Sequence, residues 1–144
     1  MNDRTGTVTE TPADVVRRLY DALGRGDVPG VLAALHPEVT VDEPEQLPYG
    51  GVHRGREAFV GSVLAVMTGH AAVALTGAEV FEGPSGVVGR LTGTLTAHST
   101  GEEFPLTMTE VHRVEDGTVR AIEVYLKDPG RLAAFYARAE AGTR

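Results

Sequence analysis

Two carboxylate positions in this chain stand where proton chemistry is possible. Asp42 and Glu43 are adjacent, at the end of a β-like segment beginning at Val39 and directly before Pro44. Successive strand side chains point to opposite faces, so one of the pair turns inward, and a one-residue slip would exchange them. A carboxyl drawn into apolar surroundings holds its proton to higher pH and can exchange it near neutrality. Glu110 is the second position. It follows Leu106 and Met108 on one face of a later strand, with His112 and Val114 continuing it, while Thr107, Thr109, Val111 and Arg113 form the other face. An unpaired buried carboxylate is costly. On that face Glu110 either holds a proton or is partnered by Arg90 or His112; a surface glutamate with incidental alternation is the simpler alternative.

The elements that must position these groups can be read from periodicity and punctuation. Residues 1–11 read as a flexible tail, and 12–144 as a single domain. Thr11 caps a first helix with Pro12 at its first position, and Val15, Val16, Leu19, Tyr20 and Leu23 recur at helical spacing until Gly24–Gly26. Asp27 caps a second helix carrying Val31, Leu32 and Leu35 up to His36-Pro37. After a short strand at 39–42, a Pro/Gly-rich loop runs from Pro44 to Gly55, and a third helix over 56–67 carries Phe59, Val63, Val66 and Met67. The period then changes to that of strands over 71–82, 87–98, 103–114 and 118–126, with hairpin turns at Glu82–Gly86, Thr100-Gly101 and Glu115–Gly117. Pro129 opens a last helix, with Leu132, Phe135 and Tyr136 as its docking face. Hairpins rather than crossover helices join the late strands, so the class is α+β. Gly89 and Gly93 mark either bends in one strand or the close approach of a helix.

Composition narrows the partners. The 144 residues include 20 acidic and 13 basic ones, for a net charge of −7, which disfavours nucleic acid and anionic membranes. There is no Cys, so disulfides and cysteine-ligated metals are excluded. No His-Glu-x-x-His pattern and no Gly-rich nucleotide loop is present, so neither a metal nor an organic cofactor is expected. No apolar run reaches the length of a membrane span, and the cytoplasm is the expected compartment. A small neutral or cationic organic ligand suits the chain.

In this order of elements the chain resembles the nuclear-transport-factor-2-like (NTF2-like) superfamily, in particular its ketosteroid-isomerase and SnoaL-like polyketide-cyclase branches. The marks are Leu19-Tyr-Asp-Ala-Leu-Gly-Arg-Gly-Asp27, Leu35-His-Pro-Glu-Val-Thr-Val-Asp-Glu-Pro44, Pro48-Tyr-Gly-Gly-Val-His-Arg-Gly-Arg-Glu-Ala-Phe59, Val114-Glu-Asp-Gly117 and Val124-Tyr-Leu-Lys-Asp128. The resemblance implies a cone-shaped fold in which a strongly curved antiparallel sheet wraps helices around a pocket. It also implies that Glu43, before the proline ending the first strand, is a general base, and that Glu110 is a protonated acid on the penultimate strand. The isomerase tyrosine of the first helix falls at Leu19; Tyr20 is adjacent, and Tyr49 and Tyr125 are alternative donors to an oxyanion. Relatives usually dimerise through the convex sheet face, here Thr107, Thr109 and Val111 with Ile122 and Val124.

The remaining candidates follow from placement. By alternation Val119, Ala121, Glu123 and Tyr125 share one face of the last strand, so Glu123 and Tyr125 are expected beside Glu110. Tyr49 and His53 lie in the loop that passes near the pocket mouth in such relatives, with packing or plain exposure as their structural roles. Tyr20, Arg90, Met108 and His112 complete the expected substrate-contacting set. The catalytic expectation is a cofactor-independent acid/base enzyme, a cyclase or isomerase acting on a small hydrophobic metabolite through Glu43, Glu110, Tyr49 and Tyr125. Epoxide hydrolysis or epoxide-opening ether formation is the alternative chemistry. A binding or accessory protein of polyketide biosynthesis is the non-catalytic one.

Overall fold

The computed structural model describes residues 9–143. The expected tail falls mostly outside them; within them, Glu10 pairs with Arg18 through two hydrogen bonds. Helix α1 (Pro12–Arg25) starts on a reciprocal cap, Thr11 and Asp14 each accepting from the other's backbone N–H, and ends at Gly26, whose φ of 65° suits a residue without Cβ. Helix α2 (Val28–Ala34) is capped by Asp27. It stops one residue short of the expected Leu35, which opens strand β1 (Leu35–Glu43). Pro37 disfavours helical backbone at His36, and the chain extends there.

Part of the expected loop is a strand. β2 (Gly51–Arg54) pairs antiparallel with β1, setting Glu43 opposite Gly51 and Asp42 opposite Val52. A continuous helical segment, 56–70, follows. It comprises a single turn α3 (Arg56–Ala58), a π-helical stretch (Phe59–Leu64) and α4 (Ala65–His70). Strands β3 (Ala71–Gly83), β4 (Gly86–Ala97), β5 (Glu103–Glu115) and β6 (Thr118–Tyr125) then form the expected meander, and α5 (Pro129–Ala141) closes the chain. The single sheet has the order β2-β1-β6-β5-β4-β3, with β1 parallel to β6 and every other pair antiparallel. Its inner face carries Val39, Val41, Leu91, Leu95, Leu106, Ile122 and Val124. These pack with Val15, Val16 and Leu19 of α1 and with Leu132, Phe135 and Tyr136 of α5 in one core.

Two departures from alternation matter for the site. Between β5 and β6 the register shifts, so that Arg113 faces Ala121 but Val114 faces Val119, leaving Arg120 as the extra residue of a bulge. Val119 is therefore buried without dragging the odd-numbered residues after it inward. Ile122 and Val124 point to the core, and Glu123 and Tyr125 point out. In β4 the two glycines answer separate needs. A Cβ at Gly89 would collide with the ring and hydroxyl of Tyr20, whereas one at Gly93 would collide with the Ala74 carbonyl, beside the register shift between Leu75 and Gly77. Gly89 is thus a point of close approach between α1 and the sheet.

Candidate active site

β1 sends Val39, Val41 and Glu43 inward and Asp42 to solvent, so the choice between the adjacent carboxylates falls on Glu43, at 6% exposure. Two strands away in the sheet order, β5 turns Leu106, Glu110 and His112 inward, with Glu110 at 8% exposure and Met108 partly buried. Both glutamates line one cavity of about 350 Å3. Its wall comes from α1 (Leu23), α2 (Val31), the π-helical stretch (Phe59, Val63) and the sheet (Leu91, Leu106, Met108). The volume lies within the usual range for small-molecule sites. Among the described residues, Glu43 and Glu110 are the only ionisable side chains in the lining, and Thr68 the only other polar one.

The two carboxyls live in different surroundings. Among the described residues Glu43 has no side-chain hydrogen bond. Burial, then the charges of Glu110 and of Asp42, push its pKa from an ordinary 4.5 up to about 8. At neutral pH it is mainly the neutral acid. Glu110 instead accepts a 2.8 Å hydrogen bond from the Tyr20 hydroxyl, and His112 Nε2 lies 3.4 Å from the same Oε1. Burial, together with the charge on Glu110 and the bond to it, pushes the Tyr20 phenol well above its usual range, so this donor keeps its proton. The two carboxyls therefore differ in their contacts: Glu43 has no side-chain partner among the described residues, whereas Glu110 has the Tyr20 hydroxyl and the His112 ring beside it.

Tyr20 reaches this position because α1 rests on the sheet at Gly89, the β4 partner of Glu110. Its neighbour Leu19 turns into the core at 1% exposure. The tyrosine next to the expected position supplies the donor, but it holds Glu110 from behind and does not line the cavity. His112 is likewise behind Glu110, at 1% exposure, with Nδ1 3.1 Å from the Val87 carbonyl and its ring edge-on to Tyr20. It is not a cavity residue, contrary to the sequence expectation of substrate contact.

Five other expected site residues are corrected by position. Tyr125 is 54% exposed on the outer face of β6, with Glu123 exposed on the same side; the bulge at Arg120 sets this parity. Arg90 lies exposed on the outer face of β4, paired with Glu79 and Thr109, and so cannot partner Glu110. His53, in β2, bonds the Tyr49 carbonyl at 2.8 Å and stays outside the cavity lining. Tyr49 is buried, but its hydroxyl meets that of Tyr136 at 2.9 Å instead of the cavity. Met108 does line the cavity as expected.

Tyr136 is the group near the site that sequence reasoning read only as packing. Burial, followed by the charge of Glu43, pushes its pKa up against the lowering effect of the bond to Tyr49, to about 12. Burial likewise pushes Tyr49 far up, followed by its contact with Tyr136 and then by the charge of Glu43. The only signal available in the sequence was its place on the docking face of the last helix. Among the described residues no three His, Asp or Glu side chains gather as a metal-ligand set. No described helix is long and apolar enough to cross a membrane.

Comparison with known proteins agrees with this architecture. The profile of the SnoaL-like domain matches residues 16–122. An NTF2-like protein of unknown function from Burkholderia pseudomallei superposes with a TM-score of 0.74 at 30% identity, over 84% of this chain and 94% of that one. Two structures provisionally named polyketide cyclases share the fold at lower identity. That of Xanthomonas campestris has a TM-score of 0.72 at 24% identity, covering 89% of this chain and 96% of that one. That of Pseudomonas putida has a TM-score of 0.70 at 19%, covering 81% and 92%. No curated protein matches the chain.

Proposed function

Because the chain belongs to the SnoaL-like family of NTF2-like proteins, we propose that it is an acid/base enzyme, a polyketide cyclase or isomerase acting on a small, neutral, hydrophobic ketone. The observation that carries this reading is the pair of inequivalent carboxyls facing one apolar cavity that contains no other ionisable group. A hydrophobic wall without cations disfavours phosphates, carboxylates and other anionic substrates. The raised pKa of Glu43 and the Tyr20 hydrogen bond to Glu110 support roles opposite to those the isomerase resemblance implies. Glu110, ionised, removes a proton from the carbon next to the substrate carbonyl, and the electron pair of that C–H bond passes into an enolate. Glu43, neutral, donates its proton or a hydrogen bond to the enolate oxygen. Isomerisation follows when Glu110 returns the proton to a different carbon, and ring closure when the enolate carbon attacks a second carbonyl, whose π electrons pass to its oxygen as an alkoxide that takes the proton held by Glu110.

The test uses a panel of apolar β,γ-unsaturated and aromatic ketones in deuterated water. Wild-type protein is expected to catalyse deuterium entry at carbon, and Glu110→Gln and Glu43→Gln each to slow it by about 10²-fold or more. Exchange that ignores both substitutions, or absent throughout the panel, removes the reading. Uptake of labelled oxygen from water by an epoxide panel, with no exchange at carbon, would assign the pair to epoxide opening instead.

We further propose that two copies pair through the convex face of the sheet, in a setting without membrane or nucleic acid. Supporting this is the outer row Phe81, Val88 and Val111, in which Phe81 is 52% exposed. Thr107 and Thr109 share that face, whereas Ile122 and Val124 are core residues and take no part.

A further inference from the structure

The buried histidine behind the site has hydrogen-bond surroundings that decide its charge. The Val87 carbonyl can only accept, so His112 Nδ1, 3.1 Å away, carries a proton. The other nitrogen, Nε2, is 3.4 Å from Glu110 Oε1 and 3.4 Å from the Tyr20 oxygen. Tyr20 has a single proton, and its 2.8 Å contact commits that proton to Glu110. Nε2 therefore faces lone pairs on both neighbours, and a bare nitrogen there would add a third, at 1% exposure. A protonated Nε2 instead meets two acceptors. At 3.4 Å both bonds are long, and the attraction is chiefly that of an ion pair.

We infer that His112 is the buried counter-ion of Glu110: an imidazolium whose Nε2 proton faces Oε1, keeping the carboxylate ionised while its other oxygen serves the cavity. The role rests on the acid/base reading above, although the charge assignment does not. His112 touches no substrate in this arrangement and is a positioning residue. The charged and titratable groups that face the pair are few. Tyr20 comes from α1 and Glu43 from β1, across the cavity; β4 offers Gly89 and the Val87 carbonyl, and the β6 partners are the apolar Val124 and Ile122. With Glu43 holding its proton, the imidazolium and Glu110 leave the buried site without net charge. That is how two carboxyls can line a dry cavity. When Glu110 accepts a proton from substrate carbon on its free oxygen, the Nε2 proton stays in place, and the site gains one positive charge that the nearby enolate balances.

The test is a ring-nitrogen NMR spectrum of the ligand-free full chain labelled with 15N-histidine. The chain has five histidines, and the His112 signals are assigned by their loss in His112→Gln. Protons on both His112 nitrogens are expected at neutral pH. Glu110→Gln is expected to remove the Nε2 proton and leave the one on Nδ1. A wild-type ring with bare Nε2 at neutral pH, or with its single proton on Nε2, overturns the inference. So does an Nε2 proton indifferent to Glu110→Gln. The wild-type spectrum decides even if that variant does not fold. Failure here leaves deuterium exchange untouched, and failure of exchange leaves the spectrum untouched, so the two ideas fall separately.

Discussion

Replacing Glu43 by Gln should change how the stability of the protein depends on pH. In the folded chain this carboxyl binds its proton up to about pH 8, against 4.5 for the ordinary group. Between those values the unfolded chain holds fewer protons at this position than the folded one, so stability falls as pH rises through the window. At 1.36 kcal/mol per pKa unit the full effect is about 5 kcal/mol, of which about 3 kcal/mol develops between about pH 5 and about pH 8. Glutamine keeps the shape and cannot ionise. Urea unfolding of both proteins at the two pH values isolates the contribution as a double difference, in which other titrating groups cancel. Wild type should lose about 3 kcal/mol more than Glu43→Gln on going to the higher pH. Parallel losses would mean that Glu43 is solvated in the folded state, and the cavity chemistry would lose its acid.

Other substitutions test the frame around the pair. Gly89→Ala drives a methyl into the Tyr20 ring and should cost about 1–3 kcal/mol in urea unfolding, while Gly24→Ala, with open space around it, should not destabilise. An unaffected Gly89→Ala would show that α1 does not press on the sheet there. Tyr125→Phe and Arg90→Ala should leave ketone exchange unchanged, because both side chains lie on the outer face; a large loss in either would put the cavity on the wrong side of the sheet. Val111→Arg should lower the mass seen in solution scattering from dimer to monomer, and an unchanged mass would remove the convex face as the interface.

The sequence carried the architecture because its punctuation is strong: Thr11-Pro12 and Asp27 start helices, and Asp116-Gly117 turns the last hairpin with φ values of 52° and 76°. It also carried Glu43 and Glu110, since each stands in an alternating strand whose inner face is apolar. Alternation failed one strand later. The bulge at Arg120 shifts the phase of β6, no residue type announces it, and Glu123 and Tyr125 were consequently assigned to the wrong side. Hydrogen-bond partners were less legible still. Glu110 had Arg90 and His112 as candidate partners, and only the inward parity of β5 selects the histidine. Tyr20 meets Glu110 because a glycine 69 positions later leaves room for its ring, a relation between distant elements that periodicity cannot express. The roles proposed for the two acids depend on those contacts, and so they are the opposite of the ones the resemblance implies.

The infrared spectrum of Glu43 reports its proton directly, through the difference between wild type and Glu43→Gln in the carbonyl-stretch region as pH is raised. A protonated carboxylic acid band belonging to Glu43 should be present at neutral pH and give way to carboxylate only near pH 8. A Glu43 that is already carboxylate at about pH 6 would contradict the assignment of the cavity's acid, and with it the mechanism.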